Sequence, residues 1–191
     1  MPLRRTLLTA ALAAAVFSTP LRAQEPADWV DPFIGSTNFG TTNPGAVCPN
    51  GMMSVVPFNL MGSDENLYDK DARWWSASYE YRNKFFTGFA HVTLSGVGCP
   101  ELGSLLVMPT AGALDVDYRN YGSAYTGQTA SPGYYSNLLT KYGIRTEVTA
   151  TPRTSAERYT FPEGTGHILL NLGEGLTNES GAWVRRVNDT E

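Results

Sequence analysis

The chain has 191 residues, a formal net charge of −4, 19 glycines, 12 prolines and 12% aromatic residues. An acidic chain offers nucleic acid or an anionic membrane surface no electrostatic footing, and the hydrophobic content is too high for disorder. Many glycines, prolines and aromatics favour short strands joined by turns.

The first segment in chain order is not part of the fold. Residues 1–5 carry Arg4 and Arg5, residues 6–17 form an apolar run, and small residues follow to Leu21-Arg22-Ala23. A basic start, an apolar stretch too short to span a bilayer and a small-residue cleavage point after Ala23 predict a signal peptide over 1–23. The protein is therefore expected in the periplasm or outside the cell, with residues 24–191 as its folded domain. Those 23 residues hold three arginines and no acidic residue, so their removal makes the domain more acidic still.

No window beyond residue 23 keeps an apolar stripe at helical spacing. Strand-like runs recur instead at 52–57, 78–81, 90–94, 104–108, 134–139, 143–151, 156–161 and 167–172. The clearest is 143–151, where Ile144, Thr146, Val148 and Ala150 share one face and Arg145, Glu147 and Thr149 the other. Turn signals separate these runs at Ser131-Pro132-Gly133, Thr151-Pro152-Arg153 and Phe161-Pro162-Glu163-Gly164. The pattern predicts an antiparallel β-sandwich, all-β in class. Near the end, Val184 and Val187 continue an amphipathic pattern up to Asn188 with no closing turn, which predicts a domain truncated at its C-terminal end.

Few residues carry chemistry. In residues 86–103, Phe89, His91, Thr93 and Ser95 alternate with Ala90, Val92 and Leu94, and the run ends in Gly96-Val97-Gly98-Cys99-Pro100-Glu101-Leu102-Gly103. This reads as a strand that delivers polar groups to a glycine-rich loop. A phosphate-binding loop is excluded, because Glu101 stands where a dinucleotide loop needs its third glycine and a strand rather than a helix follows. His91 is a candidate site residue; a satisfied structural histidine is the other reading, and the one taken for His167. Cys48 and Cys99 sit in similar Cys-Pro turns and are either bridged in an oxidising compartment or separate small residues. Trp74 and Trp75 lie in a polar stretch between Asp69-Lys70-Asp71 and Tyr79/Tyr81, a setting for one anchored indole and one free to stack on a sugar ring. Asp115 and Asp117 share a face and could hold calcium, though a solvated pair is the simpler reading.

Several segments in register resemble one family. Val30-Asp31-Pro32-Phe33-Ile34-Gly35, Asn43-Pro44-Gly45-Ala46, Pro49-Asn50-Gly51-Met52, the Gly88-to-Cys99 segment, Pro132-Gly133-Tyr134-Tyr135, Thr149-Ala150-Thr151, Arg158-Tyr159-Thr160-Phe161 and Leu170-Asn171-Leu172-Gly173 together resemble the glycoside hydrolase family 92 α-mannosidases. The resemblance implies the N-terminal β-sandwich of an exported, calcium-dependent, inverting exo-α-mannosidase acting on mannose-containing glycans. It implies a partner (α/α)6 barrel that carries the acid, the base and most calcium ligands, so no catalytic residue is assigned in this chain. It assigns substrate contact to Trp74 or Trp75, with Gly98 and Cys99 of the glycine loop nearby and His91 leading to it. Phe39-Gly40-Thr41 stands where many members have His-Gly-His, and Thr93 where many have a second histidine, so linkage preference does not carry over. The rival readings are a non-catalytic carbohydrate-binding β-sandwich and a purely structural cell-surface domain.

Overall fold

The structure is a computed structural model that describes residues 24–72, 74–177 and 181–189. The signal segment lies outside them. A short 3-10 turn, Pro26–Trp29, precedes ten strands. These are β1 (Ala46–Val47), β2 (Ser54–Phe58), β3 (Phe85–Phe86), β4 (Gly88–Thr93), β5 (Leu102–Ala111), β6 (Ser123–Ser131), β7 (Tyr134–Leu139), β8 (Ile144–Ala150), β9 (Ser155–Thr160) and β10 (Gly166–Asn171), with one helical turn, α1 (Tyr118–Tyr121), before β6.

The strands form two five-stranded sheets, β1-β2-β4-β5-β10 and β3-β6-β7-β8-β9, and every paired neighbour is antiparallel. The second sheet is built from local hairpins. At its β6–β7 turn Pro132 pre-sets the first central position and Gly133, at φ +77°, takes the second, as a type II turn requires.

Two apolar clusters follow from strand alternation. Val55, Phe89 and Met108 of the first sheet meet Tyr125, Tyr135, Leu139, Ile144 and Val148 of the second, forming the core between the sheets. The next residue on β4, Ala90, points to the other face. There it joins Phe58, Leu106, Leu60, Met61, Trp75, Ala77 and Leu176 in a second cluster. The long connection from β2 to β3 covers that outer face, so β4 is buried on both sides.

The strand at 78–81 is not formed. Ser78, Tyr79 and Glu80 are buried, but their backbone partners are not a neighbouring strand. Ser78 N–H donates to Asn43 Oδ1, Glu80 N–H to Asn59 Oδ1 and Tyr81 N–H to the Ser36 carbonyl. Side-chain amides thus replace a sheet ladder under an alternating aromatic pattern.

β4 does not present its polar face to solvent. His91 is 8% exposed and lies between the sheets. Its Nδ1 is 2.9 Å from the Leu105 carbonyl and its Nε2 2.6 Å from Glu157 Oε1 on β9, while Tyr159 hydroxyl donates to the other Glu157 oxygen. A carbonyl only accepts, so Nδ1 carries a hydrogen; when protonated the ring donates from both nitrogens, Nε2 to the Glu157 carboxylate. Burial lowers the imidazole pKa, but the Glu157 hydrogen bond and charge and the Leu105 carbonyl outweigh it, and the net shift is upward. A raised histidine pKa contributes stability that is fully present below the unfolded value, about 6.5, and is lost as pH rises through the folded value. Urea unfolding should therefore show stability falling from mildly acidic pH toward alkaline pH, with a smaller fall in His91→Gln. A wild-type curve parallel to that of His91→Gln would remove the inter-sheet ion pair.

Candidate functional site

Three loops converge beside the first sheet, and hydrogen bonds between distant residues hold them together. The first, residues 35–44, carries Phe39; the second, within residues 59–84, carries Trp74 and Trp75; the third, residues 94–101, carries Gly98 and Cys99. Asn43 touches both others, donating from Nδ2 to the Leu94 carbonyl at 3.0 Å and accepting from Ser78 N–H at 3.2 Å. Gly96 N–H adds a bond to the Thr41 carbonyl at 2.7 Å.

Glu80 fastens the first loop to the second. Its Oε1 accepts from Thr37 Oγ1 at 2.8 Å and from Arg82 Nε at 2.8 Å, and its side chain is fully buried. Behind it, Asn59 forms a hub: Nδ2 faces the Glu80 carbonyl, the Asn83 carbonyl and Tyr125 hydroxyl, and Oδ1 accepts from Glu80 N–H. Asn83 extends the network, donating from Nδ2 to the carbonyls of Asn59 and Tyr68. A buried network with this many partners fixes a loop as a strand ladder would.

An aromatic trio lies on this base. The rings of Tyr68 and Trp75 are 4.7 Å apart, those of Phe39 and Trp75 5.0 Å and those of Phe39 and Tyr68 5.3 Å. The Arg82 guanidinium sits over the Tyr68 ring and donates to its hydroxyl. Trp75 is 3% exposed and packs into the outer cluster; its indole N–H finds no hydrogen-bond partner among the described residues, so packing alone holds it. Its neighbour Trp74 is 59% exposed. The pair thus divides into one anchor and one free ring. Phe39, Gly40, Trp74, Trp75 and Ser76 line one shallow cleft.

The remaining sequence candidates are placed differently. Gly98 and Cys99 lie in an exposed loop, and a side chain at position 98 would meet nothing. Both cysteines are free; Cys48 is half-buried in a mostly apolar groove of about 500 Å³ that also takes in Val30, Ile34, Asn43, Val47 and Pro132. His91 is held by Glu157 inside the sandwich and does not belong to the loop cluster. His167 Nε2 lies 2.9 Å from the Gly112 carbonyl.

The pairing of Asp115 and Asp117 is local. Among the described residues no three His, Cys, Asp or Glu side chains converge on one point. Asp115 accepts from Asp117 N–H, and Asp117 caps α1 by accepting from Arg119 N–H. Each carboxylate is engaged by a neighbouring backbone N–H, as the simpler reading of the pair requires. No helix among the described residues is long and apolar enough to cross a membrane.

Sequence reasoning did not single out Asn43, Asn59 or Glu80 as site residues, and noted Phe39 only as a departure from the family's His-Gly-His. One local signal was present: Thr37-Asn38-Phe39-Gly40 is a turn signature, closed by Gly40 N–H to the Thr37 carbonyl. A Cβ at Gly40 would lie 1.8 Å from the Gly35 carbonyl oxygen, so only glycine fits. The other three act through partners far away in sequence.

The Glycosyl hydrolase family 92 N-terminal domain model matches residues 29–191. Among solved structures, a family GH92 α-mannosidase from Bacteroides thetaiotaomicron, also solved with mannoimidazole, shares 30% identity at a TM-score of 0.70 over 80% of this chain. The GH92 family glycosyl hydrolase ccman5 shares 28% identity at a TM-score of 0.64, again over 80% of this chain. A second protein from that Bacteroides species, described as a family GH92 inverting mannosidase, shares the fold at 22% identity and a TM-score of 0.53. The match spans only about a fifth of each of these longer chains: 20% of the first, 21% of ccman5 and 19% of the inverting mannosidase. A search of curated proteins returns no significant match.

Proposed function

Because the chain belongs to glycoside hydrolase family 92 through its N-terminal domain, we propose that it is the sugar-facing β-sandwich of an exported, calcium-dependent, inverting exo-α-mannosidase acting on mannose-containing glycans. Trp74 carries the reading: a flat indole, mostly exposed, next to a buried anchor on a loop braced by Glu80 and Asn59. An aromatic face held this way suits the C–H face of a pyranose, and rigidity lowers the entropic cost of binding.

In this reading the domain positions the substrate and a partner domain performs the chemistry. Inverting glycosidases place a general acid and a general base on opposite sides of the sugar, far enough apart to admit the attacking water. Glu80, bonded to the Arg82 that lies over Tyr68, is buried and its Oε1 is occupied with bracing, so it serves neither role. The acid, the base and most calcium ligands belong to the partner (α/α)6 barrel, and residues 1–23 direct export. Gly98 and Cys99, on the loop tied to Thr41 and Asn43, form the rim of the sugar site.

Two outcomes test this division of labour. The purified chain should bind methyl α-mannoside with a change in tryptophan fluorescence, and Trp74→Ala should lose about tenfold in affinity, the worth of one stacked ring. The same chain should release no mannose from an aryl α-mannoside; measurable release would place catalytic groups within it. Unchanged binding in Trp74→Ala would discredit the stacking role. The same exposed ring also suits a non-catalytic carbohydrate-binding module, which would bind the sugar equally well with no partner domain.

A further inference from the structure

We propose that Phe39 is a second sugar-stacking ring, facing the same cleft as Trp74, and that the 37–40 turn is built to present it. The proposal rests on the reading that Trp74 stacks on a sugar. Its independent evidence is the conformation of the turn. Asn38 and Phe39 both have positive φ, +54° and +62°, the hand of a type I′ turn. Asparagine tolerates that region; a bulky aromatic residue there is unusual. Such conformations persist where the surroundings enforce them, and they gather at ligand sites.

The surroundings here do enforce it. Thr37, just before the strained pair, donates to buried Glu80, and Gly40, just after it, can only be glycine. Between these fixed points the Phe39 ring leans on Trp75 and edge-on against Tyr68, yet it remains 55% exposed. A ring placed only to fill space would be buried by the two aromatics behind it. This one is propped outward by them and lines a shallow cleft together with Gly40, Trp74 and Ser76. The cleft itself holds only about 10 Å³, room for a single water, so it encloses no sugar; the exposed faces of Phe39 and Trp74 instead offer an open platform on which the C–H face of a hexopyranose can pack. Phe39 offers no hydrogen-bonding atom, so it contributes by contact with C–H groups. Glu80 is its positioning residue, acting through Thr37.

Calorimetric or NMR titration of the full chain with methyl α-mannoside tests the assignment, using Phe39→Leu, Phe39→Gly and Trp74→Ala. Leucine keeps the apolar packing on Tyr68 and Trp75 but removes the flat face; glycine suits the left-handed backbone and removes the side chain. Both should weaken affinity about tenfold, as loss of one stacked ring does, while Phe39→Tyr stays within about twofold of wild type. If Trp74→Ala weakens binding and Phe39→Leu does not, the Phe39 assignment is overturned and the Trp74 reading stands. If wild type does not bind, or no variant changes affinity, both fall together. Should the glycine variant fail to fold, the leucine and tyrosine variants decide the question alone.

Discussion

Replacing Asn59 with leucine should lower the unfolding free energy by about 3–5 kcal/mol, since each buried polar group left unpartnered costs about 1–3 kcal/mol and the losses overlap. The Asn59 side chain serves Glu80 at both its N–H and its carbonyl, together with the Asn83 carbonyl and Tyr125 hydroxyl. Leucine has a similar volume but no polar atom, so the buried Glu80 N–H would lose its partner inside the protein, while the Glu80 carbonyl keeps the Asn83 N–H. Tyr125 would keep its bond to the Asn83 carbonyl, which limits the damage on that side. Equilibrium urea unfolding measures the effect as a shift in midpoint at constant slope. A loss below 1 kcal/mol would mean that water replaces the amide, and that the loop bearing Trp74 is braced by something else.

Phe89→Ala should cost a comparable amount, about 3–5 kcal/mol, for a different reason: a fully buried aromatic ring removed from a close-packed core leaves a cavity that relaxes only partly. Phe89 lies where the sheets meet. Its ring packs edge-on against Phe86 at 4.9 Å and Tyr135 at 6.1 Å, and stacks on Tyr159 at 6.5 Å. Tyr135 and Tyr159 belong to the second sheet, so the ring joins the sheets as well as filling volume. The contrast is Ile168→Ala on β10, where the side chain is exposed and the change should stay within about 0.5 kcal/mol. Equal effects at both positions would mean that the core does not lie between the sheets.

The sandwich was legible because its strands announce themselves locally. At β8 the alternation of Ile144, Thr146 and Val148 against Arg145 and Glu147 follows from one buried and one open face, and burial follows it residue by residue. β6 escaped notice: Ser123–Ser131 is rich in small polar residues, and Gly127 and Gln128 sit where its pairing with β7 slips. β1 and β3, at two residues each, are too short for any pattern. Residues 78–81 misled in the opposite direction, since an aromatic alternation was satisfied by Asn43 and Asn59 instead of a strand.

The site was half legible. The polar setting of Trp74-Trp75 anticipated one buried and one exposed indole, which burial bears out. His91 looked outward from sequence because β4 reads as a half-exposed strand. The long β2–β3 connection covers one face of β4 and the second sheet the other, and Glu157 supplies a partner 66 residues away. Glu80 and Asn59 share this feature: their roles rest on contacts between distant segments, which periodicity and turn chemistry do not encode.

The central claim is that this domain meets an α-mannoside through the loop cluster at Trp74. The chain has four tryptophans, and their indole N–H resonances can be followed separately while methyl α-mannoside is added. Trp29 and Trp183 are also exposed but line no part of the cleft shared by Phe39, Gly40, Trp74, Trp75 and Ser76. The account requires the Trp74 resonance to move saturably, with a smaller response at buried Trp75 and none at Trp29 or Trp183. Silence at Trp74, or movement confined to Trp29 or Trp183, would contradict it.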